Sequence, residues 1–313
     1  MRRALVVGID EYPGGARLNG SVNDATSIEP MLSFNEDGSP NFEVMLMLNE
    51  KKKGTIMSRI KELFKGDDEV QLLYFSGHGY VNEIGGCMVT PDFQKHDEGI
   101  SMDEILTLAG GSNARQKVVI LDCCHAGAMG TPAIFGNGTA LLGPGVVILA
   151  ASRDTEVSRE IGGKGVFTSL LLEALSGGAA DIAGEVAAGS VYNYINRGLG
   201  AWQQRPVFKA NIVRSVSLRK TKPPVDLSDL RKLTVYFPEA TYEKSLDPSY
   251  ESTVEGADSE NIRVFKVLRR LQGVGLVEPV GEEYMYWAAI KSGSCRLTAL
   301  GMYYWQLVKA GRI

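Results

Sequence analysis

Two residues in this chain could serve as a nucleophile and its base. Cys124 lies in the run Leu121-Asp122-Cys123-Cys124-His125-Ala126-Gly127, and His78 in Leu73-Tyr74-Phe75-Ser76-Gly77-His78-Gly79. A thiol attacks a carbonyl carbon only as the thiolate. An imidazole within hydrogen-bond reach can take its proton and hand one to a leaving amine. The tetrahedral intermediate then needs donors for its oxyanion. The backbone N–H groups of Gly79 and Cys124 are the candidates, because small residues let the backbone approach closely. A buried cysteine or histidine alone is more often a packing residue. The pairing of the two, with Ser76-Gly77 and Gly79 around the histidine, is what points to acyl transfer.

The elements around them say how they could meet. Apolar runs at 4–9, 44–48, 70–76, 118–122 and 146–152 predict strands, and 212–218 predicts a last one. Residues 53–64 have helical spacing, with Ile56, Ile60 and Leu63 on one face; 102–109, 167–175 and 186–195 also read as helices. Continuous apolar strands alternating with amphipathic helices give an α/β fold, a mostly parallel sheet with helices on both faces. Such sheets bind ligands outside the carboxyl ends of their strands. His78 and Cys124 each stand just past such an end. If those strands are neighbours, both side chains open into one crevice.

The chain has 313 residues, enough for two domains, and a formal net charge of −4 that does not point to nucleic acid or an anionic membrane. A boundary is expected at Lys220-Thr221-Lys222-Pro223-Pro224, giving domains 1–220 and 225–313. Four cysteines, two of them adjacent, do not make a disulfide framework. The N-terminal apolar run is too short for a signal segment and no run is long enough to span a bilayer, so a cytoplasmic protein is expected. In the second domain 261–272 reads as a helix, 276–280 and 285–289 as a hairpin, and Leu297-Thr298-Ala299-Leu300-Gly301 opens a last helix to 307. That order resembles a small α+β winged-helix module.

The two motif segments resemble those of metacaspases and related caspase-like cysteine peptidases, with the histidine roughly 50 residues before the cysteine. Residues 4–12, the stretch Leu18-Asn19-Gly20-Ser21-Val22-Asn23-Asp24-Ala25, and Ala150-Ala151-Ser152-Arg153-Asp154 followed by Gly165-Val166-Phe167-Thr168 resemble further parts of that fold. The resemblance covers roughly residues 1–218. It implies the caspase–hemoglobinase-like sandwich for the first domain, an endopeptidase acting on proteins, Cys124 and not Cys123 as nucleophile, and Cys123 as a packing residue.

The resemblance also places Asp24 and Asp122 at acidic positions of the pocket for the residue before the scissile bond, with Ser152 and Asp154 as further lining. An anionic pocket selects Arg or Lys. The plainer alternative is that Asp24 caps a helix and Asp122 ends a strand. Many metacaspases hold calcium; Asp92 and Asp103 fall near such positions, but Met129-Gly130-Thr131 stands where a further acid is expected, and no metal or other cofactor is called for. Residues 128–145 contain no Arg or Lys, so if the chain cleaves itself at a basic residue the sites to look at are Arg153, Arg159, Lys164, Arg219 or Lys220; the plainer alternative is that these are solvated surface charges. Charges in the second domain roughly balance, which favours a protein regulator as its partner over DNA. Bacterial caspase-like effectors joined to small adaptor domains act in antiviral defence, and the resemblance carries that context as an expectation. Two alternatives stay open: a related peptidase with another residue preference, and an inactive scaffold that binds protein or DNA through the winged helix.

Overall fold

Runs of aliphatic residues, buried on both faces, pair in parallel and frame the N-terminal unit. The computed structural model describes residues 1–81, 85–123, 142–151, 160–161, 164–199, 205–212 and 215–313. The chain forms two units, Met1–Lys222 and Pro223–Ile313. From the N-terminus come β1 (Arg2–Gly8), α1 (Ser21–Ser33), β2 (Glu43–Leu48), α2 (Lys53–Leu63) and β3 (Val70–Ser76). An antiparallel side sheet follows, β4 (Gly79–Val81), β5 (Gly86–Gln94) and β6 (Asp97–Ser101). Next are α3 (Met102–Gly111), β7 (Gln116–Asp122), β8 (Val146–Ala150), and the short pair β9 (Glu160–Ile161) and β10 (Lys164–Gly165). The unit closes with α4 (Val166–Glu173), β11 (Glu185–Ala187), α5 (Ala188–Leu199), β12 (Val207–Asn211) and β13 (Ser217–Lys220).

The main sheet has six strands in the order β12-β8-β7-β3-β1-β2. All its pairings are parallel except β12 with β8. Side chains alternate across it. Ala4, Val6, Leu72, Tyr74, Val118 and Ile120 face α1, α4 and α5, while Leu5, Val7, Leu73, Phe75, Val119 and Leu121 face α2 and α3. Burial on both faces explains why these strands read as unbroken apolar runs.

Three expectations need correction. The strand read at 212–218 is displaced: β12 (Val207–Asn211) precedes it and β13 (Ser217–Lys220) overlaps only its end; β12 is a half-exposed edge strand holding Lys209, so its apolar signal is weak. The helix read from 186 starts at Ala188, because Val186 pairs with Arg219 in a small sheet of β11 and β13. The strand read at 146–152 ends at Ala150. Among the described residues no helix is long and apolar enough to cross a membrane.

The C-terminal unit contains α6 (Leu227–Leu230), α7 (Leu233–Tyr236), β14 (Lys244–Ser245), α8 (Ser259–Gly273), β15 (Val277–Val280), α9 (Met285–Ile290), β16 (Ser294–Leu297) and α10 (Ala299–Lys309). Asp258 caps α8 by accepting from the N–H groups of Glu260 and Asn261, both at 2.9 Å, and Thr298 caps α10 by accepting from Gly301 N–H at 3.0 Å. Residues 285–289 are helical, not the second strand of a hairpin. The Ala288-Ala289 pair favours helix and is fully buried. The antiparallel partner of β15 is β16, with Val277 opposite Leu297.

Asp229, buried in this unit, accepts from Lys232 at 2.9 Å and from Arg270 at 2.8 and 2.6 Å. Burial alone would raise its carboxyl, but the bonds from Lys232 and Arg270 outweigh it and leave the pKa below the ordinary carboxylate value. A depressed folded-state pKa stabilises above the unfolded value, and that stability is lost as pH falls through the folded value. Thermal midpoints measured across pH should therefore show Asp229→Asn less stable than the parent at pH 7. The gap should close as the pH drops below the usual carboxylate range.

Candidate functional site

Parallel pairing of β3 with β7 puts Ser76 level with Asp122. The two strands end side by side, tied by the Gly77 N–H to the Asp122 carbonyl at 3.4 Å. His78 is the second residue beyond Ser76. The second beyond Asp122 is Cys124, which lies outside the described residues, as do Ser152 and Asp154. Cys123 is buried with Phe75 and Leu121 on the α2/α3 face. Ser76 and Asp122 follow the alternation of β3 and β7 onto the opposite face.

His78 is half-buried and held from one loop, residues 10–18. Its Nε2 lies 2.7 Å from the Ala16 carbonyl oxygen. A carbonyl only accepts, so Nε2 carries the proton and Nδ1 is the basic nitrogen. The His78 backbone N–H donates to the Tyr12 hydroxyl at 3.0 Å, and the Tyr12 and His78 rings meet edge to face with centroids 4.6 Å apart. Gly79 opens β4 opposite Met88. The loop is itself fixed by Asp10, whose carboxylate accepts from the N–H groups of Ser21 and Val22 at 2.9 and 3.3 Å and so caps α1.

Asp24 and Asp122 are brought together on the α1/α4 side of the sheet. Both are buried, and both face Gly165: a methyl added to Gly165 would stand 2.5 Å from Asp122 Oδ2 and 3.0 Å from Asp24 Oδ2. Asp24 does not cap α1. It accepts from the Gly165 N–H at 3.2 Å and from the Ser76 hydroxyl at 3.3 Å, while Asp10 does the capping. Asp122 Oδ2 accepts from Thr168 Oγ1 at 2.7 Å, and Thr168 Oγ1 is 2.6 Å from the Tyr74 hydroxyl. Thr168 has one proton and gives it to the carboxylate, so Tyr74 donates to Thr168. Burial, reinforced by Asp122 and Asp24, raises the Tyr74 pKa well above its ordinary value and keeps it a donor. Ser76, Gly165 and Thr168 were missed as site residues in the sequence. Ser76 had a signal, since it shares the face of Asp122 one strand away.

Other candidates are engaged elsewhere. Asp92 accepts from the Lys53 N–H at 3.0 and 3.1 Å at the start of α2, and Asp103 sits in the first turn of α3. Among the described residues no three His, Cys, Asp or Glu side chains gather as metal ligands. Arg153 and Arg159 lie outside the described residues. Arg219 is not an open linker residue: it is buried in β13 and donates to the carbonyls of Leu175 and Phe34 at 2.8 and 2.9 Å.

Comparison with known proteins matches this architecture. The family model for the caspase domain matches residues 1–217. Metacaspase-2 of Trypanosoma brucei brucei is 27% identical over 149 residues, covering 41% of this chain and 42% of the relative. Metacaspase-3 of Trypanosoma cruzi is 26% identical over 149 residues, 41% of this chain and 40% of the relative. The match thus spans about two fifths of these relatives. Protein GSU0716 from Geobacter sulfurreducens has a similar fold, with a TM-score of 0.52 and 17% identity over 71% of this chain and 97% of its own.

The Thr168 hydroxyl should matter to stability. Thr168→Val keeps the shape but leaves Asp122 Oδ2 and the Tyr74 hydroxyl without their shared partner. It should lower the unfolding free energy by about 1–3 kcal/mol in urea titration, and Thr168→Ser should recover most of that loss.

Proposed function

This chain belongs to the caspase domain family, and from that premise we propose that it is a cysteine endopeptidase cleaving proteins after Arg or Lys. The observation that carries the reading is the pair of buried carboxylates, Asp24 and Asp122, converging on Gly165 beside the strand ends that lead to His78 and Cys124. A side-chain guanidinium or ammonium entering there meets two carboxylates, and bidentate Arg suits that best.

In the proposed reaction Nδ1 of His78 takes the Cys124 thiol proton, and the bond to Ala16 holds the imidazole in the tautomer that this requires. The thiolate attacks the scissile carbonyl, and the backbone N–H groups of Gly79 and Cys124 receive the oxyanion. His78 returns its proton to the leaving amine. Water then hydrolyses the thioester with His78 again as base. Ser152 and Asp154 complete the pocket rim in this reading.

We propose that no calcium is needed. Residues 124–141 contain no Asp or Glu, and Asp92 is committed to the start of α2. Calcium wants six or more oxygens. The C-terminal unit serves as a winged-helix-like regulatory module for a protein partner, in a regulated effector of a bacterial defence or signalling system. Its α8, three-stranded antiparallel sheet and α10 suit such a module, and its eleven Lys and Arg against twelve Asp and Glu do not make a basic face for DNA.

Fluorogenic peptides ending in Arg, Lys or Asp test the reading, with and without calcium. Cleavage should follow Arg and Lys, be unchanged by a chelator, and vanish in Cys124→Ala. Asp122→Asn should lower kcat/KM for Arg peptides by about tenfold to a hundredfold, the worth of one charged hydrogen bond. Cleavage after Asp would sink the acidic pocket and leave the nucleophile standing. Equal activity in Cys124→Ala would remove the peptidase reading itself.

A further inference from the structure

The side sheet and the loop after β1 meet at one hydroxyl. β4 and β5 pair antiparallel with Gly79 opposite Met88, so the next pair inward is His78 with Val89. In such a ladder a hydrogen-bonded pair exchanges two N–H to carbonyl bonds. Only one of the two is made directly: Val89 N–H donates to the His78 carbonyl at 2.9 Å. In place of the other, the His78 N–H donates to the Tyr12 hydroxyl at 3.0 Å, and that hydroxyl donates to the Val89 carbonyl at 3.3 Å. The Tyr12 oxygen is thus inserted into the ladder and holds the pair open at His78.

Three further observations concern this hydroxyl. Tyr12 is buried, and burial raises its pKa far above the ordinary value, so the hydroxyl keeps the proton it gives to Val89. Gly77 has no room for a side chain, since an added methyl would stand 2.5 Å from the Tyr12 oxygen and 2.7 Å from Phe75 Cζ. The Tyr12 ring also packs by its edge against the His78 imidazole. The same loop supplies the Ala16 carbonyl to Nε2. The backbone N–H of His78, its Nε2 and an edge contact of its ring are therefore set from residues 12–16.

We propose that Tyr12 is the positioning residue for the His78 base, its hydroxyl standing in for one ladder bond and so fixing the direction in which the imidazole leaves β3. This rests on the peptidase reading above. Small misplacement of a reacting group costs about a hundredfold in rate, without weakening a substrate that binds in the Asp24–Asp122 pocket. Tyr12→Phe keeps the ring and removes both bonds. It should lower kcat about a hundredfold, leave KM within about twofold, and alter the pH profile of kcat/KM.

The experiment compares parent and Tyr12→Phe with an Arg peptide, alongside thermal unfolding. Parental kcat and pH profile in a folded Tyr12→Phe would overturn the proposal. So would a rise in KM with kcat unchanged, which would place Tyr12 in substrate binding. Amide exchange in the parent protein reads the bond without substrate and without a variant. The His78 N–H should be protected at least about a hundredfold over an unstructured chain, and rapid exchange there would overturn the proposal even if Tyr12→Phe fails to fold. Protection at His78 in a parent that cleaves no peptide would instead count against the peptidase reading.

Discussion

Everything proposed for this chain depends on one pairing, β3 beside β7 in parallel register with Ser76 level with Asp122. Seven residues of each strand are buried on both faces, so a slip of one residue would turn every side chain to the wrong face. The register therefore decides two things at once. It puts Ser76 and Asp122 on the α1/α4 face, where Asp24 and Gly165 meet them. It also sets side by side the ends of the two strands that His78 and Cys124 follow in sequence.

The second constraint is the loop from Asp10 to Leu18. Asp10 caps α1 through its carboxylate, and its carbonyl accepts from the N–H groups of Tyr12 and Leu18 at 3.1 and 3.0 Å. Asn49 Oδ1 in turn accepts from the Asp10 and Glu11 N–H groups at 2.9 and 3.1 Å. A loop tied this often is a stable support for a histidine. The helix that presents Asp24 and the loop that orients His78 thus share one anchor.

Much of this is legible in the sequence, for physical reasons. Strands buried on both faces announce themselves as apolar runs, so β1, β3, β7 and β8 are read close to their observed bounds, and the two chemically suggestive residues stand directly after two of them. Short edge strands carry little hydrophobic signal, which is why Val207–Asn211 is missed and a strand is read further on. Met285–Ile290 is a short run rich in bulky apolar and aromatic residues, as a strand would be, yet helix propensity and burial of its alanines prevail. Thr168 and Tyr74 are ordinary residues of a helix and a strand. Nothing in their spacing reveals that they meet over Asp122, because their separation of 94 residues is bridged only by the fold.

The most direct test of the account is the pH dependence of thiol alkylation at Cys124, followed by mass spectrometry. Cys87, Cys123 and Cys295 are buried, so modification at Cys124 can be followed separately. If His78 is its base, iodoacetamide should modify Cys124 at pH 6 at least about tenfold faster in the parent than in His78→Ala, because only the thiolate reacts. The same rate–pH curve in both proteins would contradict the pairing on which the account stands.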